Sequence, residues 1–260
     1  MRKCLLSILF ALLPWQPATA IDTITLYGDA NYPPYSYLED GQFKGIYVDF
    51  LRQLAAELPG YQLELKPVPW KRGLAQLQSG EIFGLFPPYR LSGRDYIVGY
   101  SEPLFRETVV LLCHRQYLSR PRQRFPDDFT GLVIGVNSGF LLSDQLQQAS
   151  HSGQIRLEEA QSTSANLRKL ASARIACYAN DRLAIRFALQ KLRSESLPAE
   201  LRDEQLLVEV TELASNPAHI GFGRQAETPA GLRFRQALDA ALRAAGARGD
   251  IRKLLPHYGM

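Results

Sequence analysis

Apolar residues recur along the chain in two alternating rhythms. Residues 23–28 alternate around Ile24 and Leu26, a period of two that predicts a strand with one buried face. Residues 46–58 then carry apolar side chains at 47, 50, 51, 54, 55 and 58, the spacing of an amphipathic helix. Alternation returns over 62–66, residues 71–78 read as a short helix with Leu74 and Leu77 inward, and 82–86 form a continuous apolar run. Strands alternating with helices call for a parallel sheet with helices on its faces. The pattern restarts with a buried-strand run at 132–136, a helix at 164–173, a strand at 174–179 and a helix at 181–192, whose Leu183, Ala184, Phe187 and Ala188 share one side. Between the units residues 109–113 are strongly β-prone, and 206–210 and 219–222 predict strands before closing helices at 231–245 and 250–257. If those helices return to the first unit, the two units balance in size, and the chain crosses between them twice. Two crossings make a hinge.

The start of the chain is a different kind of segment. Arg2 and Lys3 precede an apolar run from 4 to 13, and Ala18-Thr19-Ala20 supplies small residues at the cleavage spacing of a secretory signal peptide. Pro14 and Pro17 break the run, and a membrane span needs about 20 apolar residues. Two of the 30 Lys and Arg lie in residues 1–20, which leaves 28 basic against 26 acidic residues, a net charge of +2. So balanced a chain is not built to hold nucleic acid. The arginines at 115, 120, 122 and 124 are the densest basic run, and Ser119 and Pro121 among them read as a solvated loop. Once Cys4 leaves with the signal, Cys113 and Cys177 remain as the one possible intramolecular pair; an exported protein allows a disulfide there without requiring it. His114, His151, His219 and His257 show no metal-ligand spacing, and no cofactor or metal is called for.

Gly28-Asp29-x-x-Tyr32-Pro33-Pro34-Tyr35-Ser36-Tyr37, with Gly41, Gly45 and Val48-Asp49-Phe50 after it, resembles the opening of bacterial extracellular solute-binding proteins of the polar amino-acid type, family 3. Trp70 before a short helix, Ser79-Gly80-Glu81, and Arg94 seven residues before Ser101-Glu102-Pro103 continue the resemblance, as do Gly139, Asp181 and His219-Ile220-Gly221-Phe222 further on. The order and spacing of these pieces over residues 22–260 carry it. It implies an α/β, two-lobed periplasmic-binding-protein-like fold of type II, each lobe a mostly parallel sheet flanked by helices, joined by a two-crossing hinge. Residues 1–20 are then the signal peptide, 21–105 and 212–260 one lobe, 110–206 the other, and 106–109 and 207–211 the hinge. In such a fold the strand of Cys113 lies beside that of Cys177, within bridging reach.

The resemblance also implies a function: a small polar solute, an amino acid or a related amino/carboxylate compound, captured in the periplasm in the cleft between lobes. The protein, expected to act as a monomer, would hand its solute to the membrane permease of an ABC importer. Closure is a population shift favoured by a ligand that touches both lobes. Ligands in α/β folds sit beyond the carboxyl ends of strands, so residues 29–35, 87–94, 137–141 and 180–182 should line the cleft. Tyr32 and Trp70 match aromatic positions that sandwich the ligand, Asp29 a position that reads its side chain, and Arg72 is a further cleft candidate. Arg94 matches the arginine that grips a carboxylate, a task suited to its planar fork of donors. Asp181 matches the aspartate that receives an ammonium group, although aspartate at that place equally suits a helix N-cap. Two departures stand out: Tyr89 replaces a small or hydroxyl residue, and Phe140 replaces the threonine that follows Gly139, leaving only backbone N–H donors there. Two other roles share this architecture. One is a dehydratase-like enzyme using Asp29 or Asp181 as acid or base; the other is a ligand-sensing partner of a membrane receptor.

Overall fold

The computed structural model describes residues 21–194, 203 and 205–260; the signal peptide expected at residues 1–20 lies outside them. The chain opens with β1 (Asp22–Asp29), three short strands β2 (Asn31–Tyr32), β3 (Ser36–Glu39) and β4 (Gln42–Lys44), then α1 (Ile46–Ala55), β5 (Tyr61–Val68), α2 (Trp70–Ser79), β6 (Gly84–Phe86) and β7 (Gly99–Tyr100). It continues through β8 (Phe105–His114), β9 (Val133–Asn137), α3 (Asp144–His151), β10 (Arg156–Ala160), α4 (Thr163–Ala171), β11 (Cys177–Asp181) and α5 (Arg182–Ser194). The chain ends with β12 (Leu207–Ala218), β13 (Gly221–Phe222), α6 (Pro229–Arg248) and α7 (Asp250–Leu254).

Two five-stranded sheets result, ordered β5-β1-β6-β13-β7 and β10-β9-β11-β8-β12. Each is parallel where strands alternate with helices, as in β5-β1-β6 and β10-β9-β11, and antiparallel where the chain passes between lobes. In the first lobe α1 buries Tyr47, Phe50, Leu51 and Leu54, the side its sequence spacing selects. Gly28 is obligatory in β1, since a Cβ there would sit 2.3 Å from the Phe86 ring. The helix α2 stops at Gly80, whose φ of 82° suits glycine alone at little cost.

β8 carries the chain into the second lobe and β12 carries it back. The return differs from the sequence expectation of 207–211: β12 stays paired to β8 as far as Ala218, opposite Phe105, and the chain joins the first sheet only at Gly221. Two register shifts, at Glu209/Thr211 and Glu212/Ala214, let one strand follow its partner through the twist. Pro217 is tolerated because β12 is an edge strand. Cys113 and Cys177 are directly opposite on β8 and β11, both fully buried, and they are joined as a disulfide. Their Cα atoms lie 3.9 Å apart, well inside the limit of about 7 Å. Among the described residues no helix is long and apolar enough to cross a membrane, and no three His, Cys, Asp or Glu side chains converge as a metal site.

Candidate functional site

The carboxyl ends of β1 and β6, the start of α2 and the loop after β9 meet between the lobes around a small cavity. Asp29, Tyr32, Trp70, Pro87, Tyr89 and Arg94 line it from the first lobe, and Phe140, Leu141 and Leu142 from the second. Its volume is about 20 Å³, room for a water molecule and little more. Asp29 ends β1 and turns the chain by accepting the N–H of Asn31 at 2.9 Å. Burial pushes its carboxyl up to about 7, since taking it out of water disfavours the charged form. Arg94 is only 4% exposed. It donates to the carbonyl of Tyr89 at 3.3 Å and stacks on Trp70, its guanidinium carbon 5.5 Å from the ring centre. No ion pair among the described residues includes it, and burial pulls its pKa below the usual value. Phe140 makes edge contacts with both first-lobe aromatics, 5.2 Å from Tyr32 and 6.0 Å from Trp70 between ring centres.

Behind the cavity lies a polar cluster that sequence reasoning missed. Glu107 of β8 is 1% exposed, and the hydroxyls of Tyr32, Tyr47 and Tyr89, all from the first lobe, donate to its carboxylate. Burial, then the nearby Asp181, push its carboxyl up to about 8, against the opposing pull of the three hydroxyls. Asp181 is buried beside it. One of its oxygens accepts the Tyr35 hydroxyl at 2.8 Å and the N–H of Ala184 at 3.0 Å, and the other accepts the N–H of Thr108 at 3.0 Å. Asp181 is therefore the N-cap of α5 and a link between lobes. Further contacts close the cleft rim: Trp70 Nε1 to the carbonyl of Gly139 at 3.1 Å, Lys71 to Glu159 at 2.7 Å, and Asn31 Nδ2 to the carbonyl of Gln161 at 2.9 Å.

A sheet order of 2-1-3 followed by antiparallel strands in both lobes, with a buried pocket between them, agrees with comparisons at two levels. The model of the bacterial extracellular solute-binding proteins, family 3, matches residues 24–260. The chain belongs to that family. Against the L-cystine-binding protein TcyJ of Escherichia coli K12, this solute-binding protein is 30% identical over 122 residues, 46% of its own length and 45% of that relative's. Its fold matches a histidine kinase sensor domain with similarity to periplasmic binding proteins at a TM-score of 0.73, with 18% identity, 91% of this chain and 95% of the other covered. It also matches the ancestral amino acid-binding protein AncCDT-1, a precursor of cyclohexadienyl dehydratase, at 0.67 and 17% identity, over 91% and 94% of the two chains.

The solute-binding protein gathers Asp29, Tyr32, Trp70, Tyr89, Arg94 and Phe140 around one cavity and leaves out the other two candidates. Asp181 does not oppose Arg94, because the N-cap and the Tyr35 hydroxyl occupy it. Arg72 is exposed. With α2 starting at Trp70 and burying Trp70, Gly73 and Leu77, the arginine at 72 falls off the inward face. The backbone donors near Phe140 are also taken: the N–H of Gly139 by Glu159 at 3.2 Å, and that of Phe140 by the carbonyl of Asn137 at 3.0 Å.

Proposed function

We propose that this is a periplasmic binding protein, exported by a cleaved signal peptide, that captures a small solute carrying both a carboxylate and an amino group and delivers it to the permease of an ABC importer. The observation that carries the reading is Arg94, a buried cation with no acidic partner among the described residues, lining the same cavity as the buried carboxyl of Asp29. A buried unpaired charge is costly unless something compensates it. A zwitterion satisfies both groups at once. Arg94 takes the carboxylate through its fork, Asp29 takes the ammonium, and Tyr32, Trp70 and Phe140 wall off water. With the lobes in contact the cavity has no room for such a solute, so it enters a more open arrangement and is held as the lobes close. The binding of L-cystine named for TcyJ and of amino acids named for AncCDT-1 agrees in chemical class. An enzymatic reading loses one of its two candidate groups, since both oxygens of Asp181 are hydrogen-bonded away from the cavity.

Calorimetry against amino acids and small amino/carboxylate compounds tests this directly. Arg94→Ala is expected to weaken the best solute by roughly 1.5 to 3 kcal/mol, about tenfold to a hundredfold in Kd. Unchanged affinity would place the carboxylate elsewhere. Because Asp29 must be ionised to receive an ammonium group, affinity is expected to rise from pH 6 to pH 8, through its raised pKa of about 7. Asp29→Asn should be weaker throughout and flat over that range; a variant that keeps the wild-type pH profile would assign the dependence to another group.

A further inference from the structure

The inner wall of the cavity is a side chain of the protein itself. Tyr89 follows β6 and is 5% exposed, with its ring facing the cavity and its hydroxyl on Glu107. The residue is fixed at its backbone as well, by an isolated bridge to Ala218, and its carbonyl accepts from Arg94 and from the N–H of Leu91. A ring held at both ends does not swing aside for a ligand. Beyond it stand two carboxyl groups, Glu107 and Asp181, with tyrosine hydroxyls and backbone N–H groups around them and, among the described residues, no Lys, Arg or His in ion-pair contact. Tyr32 lines the cavity too and donates to the same Glu107, but the edge of Phe140 from the opposite lobe packs against it; Trp70 also meets Phe140, and Asp29 and Arg94 line the rest.

We infer that Tyr89, pinned by Glu107, is the plug that sets the size limit of the solute: it walls the cavity on the side of Glu107 and separates that acidic compartment from the solute. The inference rests on that cavity being the solute site. It follows that the wild-type protein takes only the shortest amino/carboxylate compounds. Removing the ring joins the cavity to Glu107 and Asp181, so the solutes admitted are longer ones that end in a cation. The limit is set by the volume of the ring rather than by its hydroxyl.

The test is a calorimetric and thermal-shift series of glycine, alanine, serine, glutamine, lysine and arginine against wild type, Tyr89→Ser and Tyr89→Phe. Wild type is expected to bind the short members and to exclude lysine and arginine. Tyr89→Ser should bind lysine and arginine at least tenfold more tightly than wild type does, with a smaller gain for the uncharged glutamine, and Tyr89→Phe should still exclude all three. Should Tyr89→Ser fail to fold, Tyr89→Leu serves in its place, and the wild-type series is decisive by itself: long members bound as tightly as short ones would overturn the plug. A folded Tyr89→Ser protein with the wild-type size order, or a Tyr89→Phe protein that admits the long cations, would overturn it while leaving the solute site intact. Binding of none of the series by any of the proteins would overturn the solute site and the plug together.

Discussion

Raising the pH from 5 to 8 is expected to destabilise the folded protein by several kcal/mol, with about 2 kcal/mol of that loss falling between pH 6.5 and 8. The cause is two separate buried carboxyl groups. Glu107 is raised by burial to about 8 and Asp29 to about 7, whereas in the unfolded chain both titrate near 4. Between those values the folded state holds protons that the unfolded state has released, and stability falls as pH rises wherever the native state binds more protons. Asp181, also raised by burial, acts in the same direction. His114 and His219 oppose it at lower pH, because burial lowers both and their unfolded forms take up protons below about 6.5. The upper window is therefore the cleaner one. The tyrosines of the cluster are pushed well above 10 by burial and stay protonated donors throughout. Thermal melts of wild type and Glu107→Gln across pH 6.5 to 8 would check the account. The amide keeps an acceptor for the hydroxyls but cannot ionise, so the variant should lose more than half of the slope. A wild-type melting temperature that is level or rises over this window would show that Glu107 is already charged in the folded protein.

That cluster also marks where the sequence stopped being legible. Glu107 lies in the stretch 106–109 expected as a hinge crossing, just before the run read as β-prone, yet a period of two puts it on the same face as Phe105, Val109 and Leu111, and a lone acid on an inward face is a signal that could have been used. What the pattern could not supply is its partners: Tyr32, Tyr47 and Tyr89 come from three separate elements, 75, 60 and 18 residues away. The long periodic elements α1, β5, α4 and α5 were readable because each buries a single face. The strands β2, β3 and β4, of two to four residues, are too short to show a period, and β10 is a polar edge strand with only Leu157 as a bulky apolar residue. The helix α3 is mostly polar, and its best local signal is the cap, Ser143 accepting the N–H of Leu146 at 3.1 Å. Asp181 shows the limit of a positional match. Its place at the end of β11 is the expected one, but Tyr35 reaches it first.

Loss of the Cys113–Cys177 bond is expected to cost about 4 kcal/mol of folding stability, since it closes 64 residues of chain and the loop-entropy relation gives roughly that figure for a loop of this length. The bond lies between the adjacent strands β8 and β11, fully buried, so reductant meets it only when the second lobe opens. It also fixes register. With Cys113 opposite Cys177, Asp181 falls opposite Val109, where its carboxylate meets the N–H of Thr108 and the hydroxyl of Tyr35. A slip of one residue would turn Asp181 to the other face of the sheet and break the link to the first lobe. Urea unfolding of wild type with and without reductant, and of a Cys113→Ala/Cys177→Ala variant, measures the cost. The reduced protein should unfold at a markedly lower midpoint, and the double variant lower still by the volume of two buried sulfurs. The cavity side chains Asp29, Trp70 and Arg94 belong to the first lobe, so solute binding at low temperature should survive in the double variant. Binding lost while the fold persists would mean that the register of β8 and β11, through Glu107 and Asp181, shapes the pocket as well as holding the lobes.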